Sequence, residues 1–154
     1  MGETMRALTI KPPWSEAIRY GTKRVENRSW PAPAFALRTV IAIHAGKGFD
    51  YDAVFPRSPM TLPPADCALG AVVAVARLAN CHDSPDCYGS LQRPGSGQHP
   101  LCSPWAIRFQ WHWLLADVRP LAEPVPCRGA LGLWRLPEDV EKAVREQLSE
   151  VNRG

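Results

Sequence analysis

Residues 11–30, KPPWSEAIRYGTKRVENRSW, constrain the fold more than any other stretch, because a short helix must give way to a strand within a few positions. Pro12 and Pro13 suit a first helical turn, where a missing N–H costs nothing. Trp14, Ala17 and Ile18 recur at i, i+3 and i+4 and make one apolar face. Gly21 reads as the residue just past the helix, a left-handed stop. Beyond it VENRSW reads as a strand, with Glu26 and Arg28 on one face and Val25 and Asn27 on the other. Lys23 lies at the turn, outside that alternation, so it can converge with Glu26.

The rest of the chain reads mainly as short strands and loops, and the 16 prolines of the full sequence argue against a helical bundle. Residues 5–10 form a first strand. Residues 37–45 form another, with Val40, Ala42 and His44 on one face and Ile41, Ile43 and Ala45 on the other. Both faces are apolar, which places this strand centrally. Residues 49–55 suggest a short helix and 56–66 a proline-rich loop. GAVVAVARL is a strand. Residues 81–104 lack periodicity and read as a long loop of the lid or binding kind. In 105–118, Trp105, Ile107, Phe109, Trp111, Trp113 and Leu115 share one parity and make a core face. Arg108, Gln110 and His112 then face away from it, and the run can also be two strands joined near Phe109-Gln110. Residues 119–129 read as loop and LGLWRL as the last strand. Residues 137–151 form a helix with a stripe of Val140, Val144, Leu148 and Val151 and a supporting Glu141–Arg145 pair. The expected architecture is one small α+β domain over residues 1–154. It is a mixed β-barrel of about six strands with the early helix beside a cleft and a C-terminal helix.

The chemistry concentrates where the charge does. Residues 1–48 hold eight Lys/Arg against three Asp/Glu, while the remainder holds ten against twelve. A charged turn is by itself most often a solvated surface feature. Yet Lys23, Glu26 and Arg28 together can hold an anion while a carboxylate meets a hydroxyl or amino group, or can move protons. Lys11 stands near the helix N-terminus and Lys47 follows His44 at a strand end, so both are candidates for a basic wall. Trp14 and Trp30 offer rings, and Asn27 a donor–acceptor pair. The basic surplus points to an anionic partner such as nucleic acid. The five cysteines are odd in number and read as free thiols. Cys81, His82, Cys87, His99 and Cys102 lie close in sequence but lack the paired spacing of structural zinc ligands, so no metal ligand is assigned.

Several of these stretches together resemble the ASCH domain, a branch of the PUA-like superfamily. The resemblance rests on Pro13-Trp14 followed by Gly21-x-Lys23-x-x-Glu26-x-Arg28. It continues through IAIHAGK, GAVVAVARL, PWAIRFQWHWLLADVRPL and RGALGLWRL, about residues 5–136. It implies a PUA-like barrel with a ligand cleft beside the first helix and the Gly-x-Lys turn. With the basic surplus, such a cleft points to recognition of single-stranded RNA or a nucleotide-derived ligand, with DNA as another partner; the alternatives are a hydrolase using the same cleft and a non-enzymatic module that binds proteins through the terminal helix or the long loop. Ribonuclease activity, known in the family, would use Glu26 as base with Lys23 and Arg28 on phosphate, and His44 or His112 as acid. Relatives that act as amidohydrolases pair the motif Lys with a Thr three residues on. Here that residue is Glu26, and no carboxylate lies near Arg77 on the later strand, which departs from that pattern. No cofactor is called for, although a divalent metal ion stays compatible with hydrolysis. No apolar run is long enough to span a bilayer, and a cytoplasmic protein is the expectation.

Overall fold

The computed structural model describes residues 4–53, 67–83, 87 and 101–151. Its strands are β1 (Arg6–Ile10), β2 (Val25–Arg28), β3 (Val40–Ala45), β4 (Ala71–Asp83), β5 (Trp111–Pro126) and β6 (Leu133–Arg135). Helix α1 (Trp14–Arg19) lies between β1 and β2, and α2 (Glu138–Val151) follows β6. The six strands form one mixed sheet in the order β2-β5-β4-β3-β1-β6. Only β1 and β3 run parallel, which is why the chain between them must cross over and carries α1 and β2. The α+β, PUA-like expectation is met.

The sheet curls into a half-barrel. β2 ends one side of the strand order and β1 stands next to the other side, yet Arg28 Nη2 of β2 donates to the Thr9 carbonyl of β1 at 2.7 Å. Register shifts supply the curvature. One falls between Ile43 and His44, and three fall along β4 and β5. Asp117 lies in one of these bulges with φ 51°, and its carboxylate accepts from Arg77 Nε at 2.8 Å.

Strand alternation divides the core in two. Ile41, Ile43 and Ala45 face Leu8, Ile10, Ile18, Val73, Leu78 and Trp113 inside the curl. Ala42 faces the other side, with Ala7, Val72, Val75 and Leu121, where α2 lays down Val140 and Val144. Each fully buried aliphatic side chain here contributes roughly 1.5–3 kcal/mol relative to exposure. β3 is central, as its two apolar faces require. The stripe expected on α2 packs through Val140, Val144 and Leu148, and its Glu141–Arg145 pair forms at 3.0 Å.

Five local expectations are corrected. Gly21 is not left-handed; a Cβ there would lie 2.6 Å from the Ala17 carbonyl oxygen, so glycine is required by close approach. The strand expected from Trp105 begins only at Trp111, because residues 101–110 form bends and turns and Phe109 has φ 66°. The loop expected at 119–129 is largely strand, since β5 continues to Pro126 against β4 through the bulges. His112 is fully buried instead of facing away, because β2 covers the other edge of β5 and residues 101–107 fold over it. Residues 49–53 hold a turn and no helix. The proline-rich loop at 56–66 and most of the 81–104 loop lie outside the described residues.

Candidate ligand cleft

At the seam where β2 approaches β1 lies an open cleft of about 590 Å³. The short turn after α1 delivers Lys23 to its floor, and the outward parity of β2 delivers Glu26 and Arg28. Lys23 Nζ donates to Glu26 Oε1 at 2.9 Å and also to the Val25 carbonyl. Arg28 Nη2 donates to Glu26 Oε2 at 3.0 Å. Lys23 is 2% exposed and Glu26 7%. The carboxylate is therefore held between two cations, leaving one surplus positive charge in a poorly solvated floor. Arg28 Nε is buried and has no hydrogen-bond partner among the described residues.

The walls are aromatic and apolar. Trp14 and Trp105 meet edge to face, with ring centroids 6.3 Å apart, and Lys23 Nζ stands 5.9 Å from the Trp14 ring centre. Trp14 Nε1 donates to Asp50 at 2.8 Å, which fixes the indole. Asn27 secures the opposite wall: its Nδ2 donates to the Trp105 carbonyl at 2.9 Å and its Oδ1 accepts the Ile107 N–H at 2.8 Å. Ile107, Leu131 and Gly132, at φ 69°, complete the rim, and exposed Lys11 adds a cation there.

Six of the residues singled out from sequence thus converge: Lys11, Trp14, Lys23, Glu26, Asn27 and Arg28. Three lie elsewhere. Trp30 packs edge to face on Trp113, with centroids 4.8 Å apart. Lys47 is exposed and lies over Gly70. His44 is 1% exposed; it donates from Nε2 to the Cys127 carbonyl at 2.7 Å and faces Thr9 Oγ1 with Nδ1 at 3.2 Å. Trp134 Nε1 donates in turn to that hydroxyl at 3.0 Å. Burial lowers the His44 pKa, and the bond to Cys127 only partly offsets this. Trp105, Ile107 and Asp50 were missed from sequence. The Pro104 break before Trp105 was the available sign that this tryptophan begins a turn.

A second cavity, about 620 Å³, lies between the sheet and α2 and is also basic. Its arginines are already engaged: Arg77 with Asp117, Arg145 with Glu141, Arg119 with the Leu148 carbonyl and Arg6 with the Leu133 carbonyl. Outside the lining of both cavities, His82, Cys87, Cys102 and His112 gather at the β4–β5 end. Burial, and then the neighbouring Cys87 thiol, push the Cys102 thiol up to about 12. Cys81 is not in this group; its sulfur accepts the Ala32 N–H at 3.4 Å. His99 lies outside the described residues.

The ASCH domain profile matches residues 8–119, which spans every side chain of the cleft floor. The chain belongs to the ASCH domain family. Among solved structures it is similar to the ASCH protein of Zymomonas mobilis, at 18% identity and a TM-score of 0.53, over 96% of this chain and 94% of that one. A tyrosine-to-phenylalanine mutant of the same Zymomonas mobilis protein matches with a TM-score of 0.55 at 18% identity, over 94% of this chain and 98% of that one. At this identity the likeness concerns the fold. No curated protein matches the sequence. Among the described residues, no helix is long and apolar enough to cross a membrane.

Proposed function

We propose that this ASCH protein binds single-stranded RNA, or a ligand built from a nucleotide, in the Lys23–Glu26–Arg28 cleft. The observation that carries the reading is a buried cation–carboxylate–cation floor beneath tryptophan walls. Phosphate would meet Lys11 at the rim and the guanidinium of Arg28, whose side chain is 24% exposed. A base would lie against Trp14 or Trp105. Glu26, oriented from both sides, would accept from a 2′-hydroxyl, a contact that favours RNA over DNA, or from a base amino group, which both carry. The cleft volume falls in the range of small-ligand pockets, about 300–1,000 Å³, which suits an unpaired nucleotide. A reducing, cytoplasmic setting belongs to this reading, and in it the five cysteines stay thiols.

Hydrolysis is the weaker reading. Both Glu26 oxygens already accept from cations, so taking a proton from a 2′-hydroxyl requires one of these contacts to break. His44 and His112 are buried and do not line the cleft. The amidohydrolase alternative lacks the hydroxyl nucleophile, because Glu26 occupies that position.

The test is a gel shift and a product gel run in parallel on end-labelled single-stranded RNA, with and without chelator. Wild type is compared with Arg28→Ala, Lys11→Ala and Glu26→Ala. The reading expects a shift of intact RNA, weakened by Arg28→Ala and Lys11→Ala, with a shallower salt dependence for each lost phosphate contact. RNA cleavage abolished by Glu26→Ala would make the protein a ribonuclease. Absence of any shift with RNA or mononucleotides would overturn the proposal.

A further inference from the structure

Four potential metal ligands converge at the end of the β4–β5 ladder, outside the ligand cleft. His82 and His112 are directly opposed across the two strands, and Cys87 and Cys102 close in from the segments that follow β4 and precede β5. One ligand atom from each lies within 4.8 Å of all the others. His112 Nδ1 is 3.3 Å from His82 Nε2 and 3.8 Å from Cys102 Sγ. Zinc bonds of about 2.0–2.1 Å to nitrogen and about 2.3 Å to sulfur, set at tetrahedral angles, require N···N near ~3.4 Å and N···S near ~3.6 Å. The His112–His82 and His112–Cys102 distances already approach those edges.

The surroundings orient the ligands as a metal needs. His112 Nε2 donates to the Ile107 carbonyl at 2.7 Å, which assigns the proton to Nε2 and turns the Nδ1 lone pair toward the cluster. The Cys102 N–H donates to Cys87 Sγ at 2.9 Å, a contact that stabilises a thiolate. Cys87 and His112 are fully buried, so the group is interior and not a chance meeting of surface side chains. A set of two imidazoles and two thiols selects zinc among the common divalent ions.

We propose that His82, Cys87, Cys102 and His112 form a structural zinc site that fastens residues 101–107 to the β4–β5 ladder. Four protein ligands fill a tetrahedral shell and leave no open position for substrate, so the ion stabilises and does not catalyse. Its binding converts the two thiols to thiolates and releases their protons. The fastened segment carries Trp105 and Ile107, so the ion would stand directly behind one wall of the ligand cleft.

The test is metal content together with cobalt spectroscopy on the untagged full chain, purified under reducing conditions without chelator. The expected result is one zinc ion per chain. Replacement by Co(II) should give the visible bands of a tetrahedral ion and thiolate-to-cobalt charge transfer in the near ultraviolet. Cys102→Ser should abolish the charge transfer from that sulfur and lower zinc retention at least tenfold. His82→Asn alters a half-buried ligand and serves if the cysteine variant does not fold. The proposal is overturned by metal-free protein that gives no tetrahedral cobalt spectrum on titration, by a Cys87–Cys102 disulfide in the freshly purified chain, or by a cobalt spectrum unchanged in His82→Asn.

Discussion

Arg28 and Thr9 are joined by a 2.7 Å hydrogen bond although β5, β4 and β3 stand between their strands in the sheet. The bond marks the seam of the half-barrel, and the cleft opens at that seam. One side chain therefore serves both closure and ligand recognition. Arg28→Lys keeps the charge but replaces the longer, planar guanidinium whose Nη2 donates to both Glu26 and Thr9. We expect it to weaken RNA binding about tenfold or more and to speed amide exchange in β2, measured by gel shift and by hydrogen exchange. Unchanged exchange and affinity would show that charge alone is required.

The floor predicts an order of stabilities. Glu26→Ala leaves Lys23 buried without its carboxylate, and breaking a buried pair in this sense costs about 3–5 kcal/mol. Lys23→Ala should cost less, because Glu26 retains Arg28. Chemical denaturation of the two variants gives the comparison, and the reverse order would contradict this account of the floor.

Asn27 couples the strand to the wall. Asn27→Ala removes both bonds to the 105–107 backbone, each contributing about 0.5–1.5 kcal/mol, more if a partner is left unsatisfied. The expected result is faster exchange of the Ile107 amide and weaker ligand binding, with β3 and β4 still protected. Uniform loss of protection across the sheet would assign Asn27 a global role instead.

His44 makes stability depend on pH. Its folded pKa lies below the ordinary value of about 6.5, mainly because of burial. Between those two values the unfolded chain binds a proton that the folded chain does not, so stability rises with pH through this window. The contribution is present above about pH 6.5 and is lost as pH falls toward the folded pKa. His44→Gln should flatten that part of the stability profile, read as denaturation midpoint against pH.

How much of this was legible in the sequence depended on whether the signal was local. The convergence of Lys23 with Glu26 followed from a turn and a strand three residues apart, and the structure has it. The central place of β3 followed from its two apolar faces. Trp105 and Ile107 misled, because a tryptophan and an isoleucine two apart imitate strand alternation while in fact lining a turn. The His82–His112 pairing was illegible for the opposite reason. Its ligands are brought together by antiparallel register across a 30-residue separation, and no paired local spacing announces them. The extent of β5 was hidden by Pro120, Pro124 and Pro126, which bulges in a long strand accommodate.

The most direct measurement of the central claim is photo-crosslinking of single-stranded RNA carrying a photoreactive uridine, with adducts mapped by mass spectrometry. The account predicts adducts on Trp14, Trp105 and their neighbours in the cleft, reduced in Arg28→Ala. Adducts confined to the Arg77 and Arg119 face, or none where a control RNA-binding protein crosslinks, would contradict it.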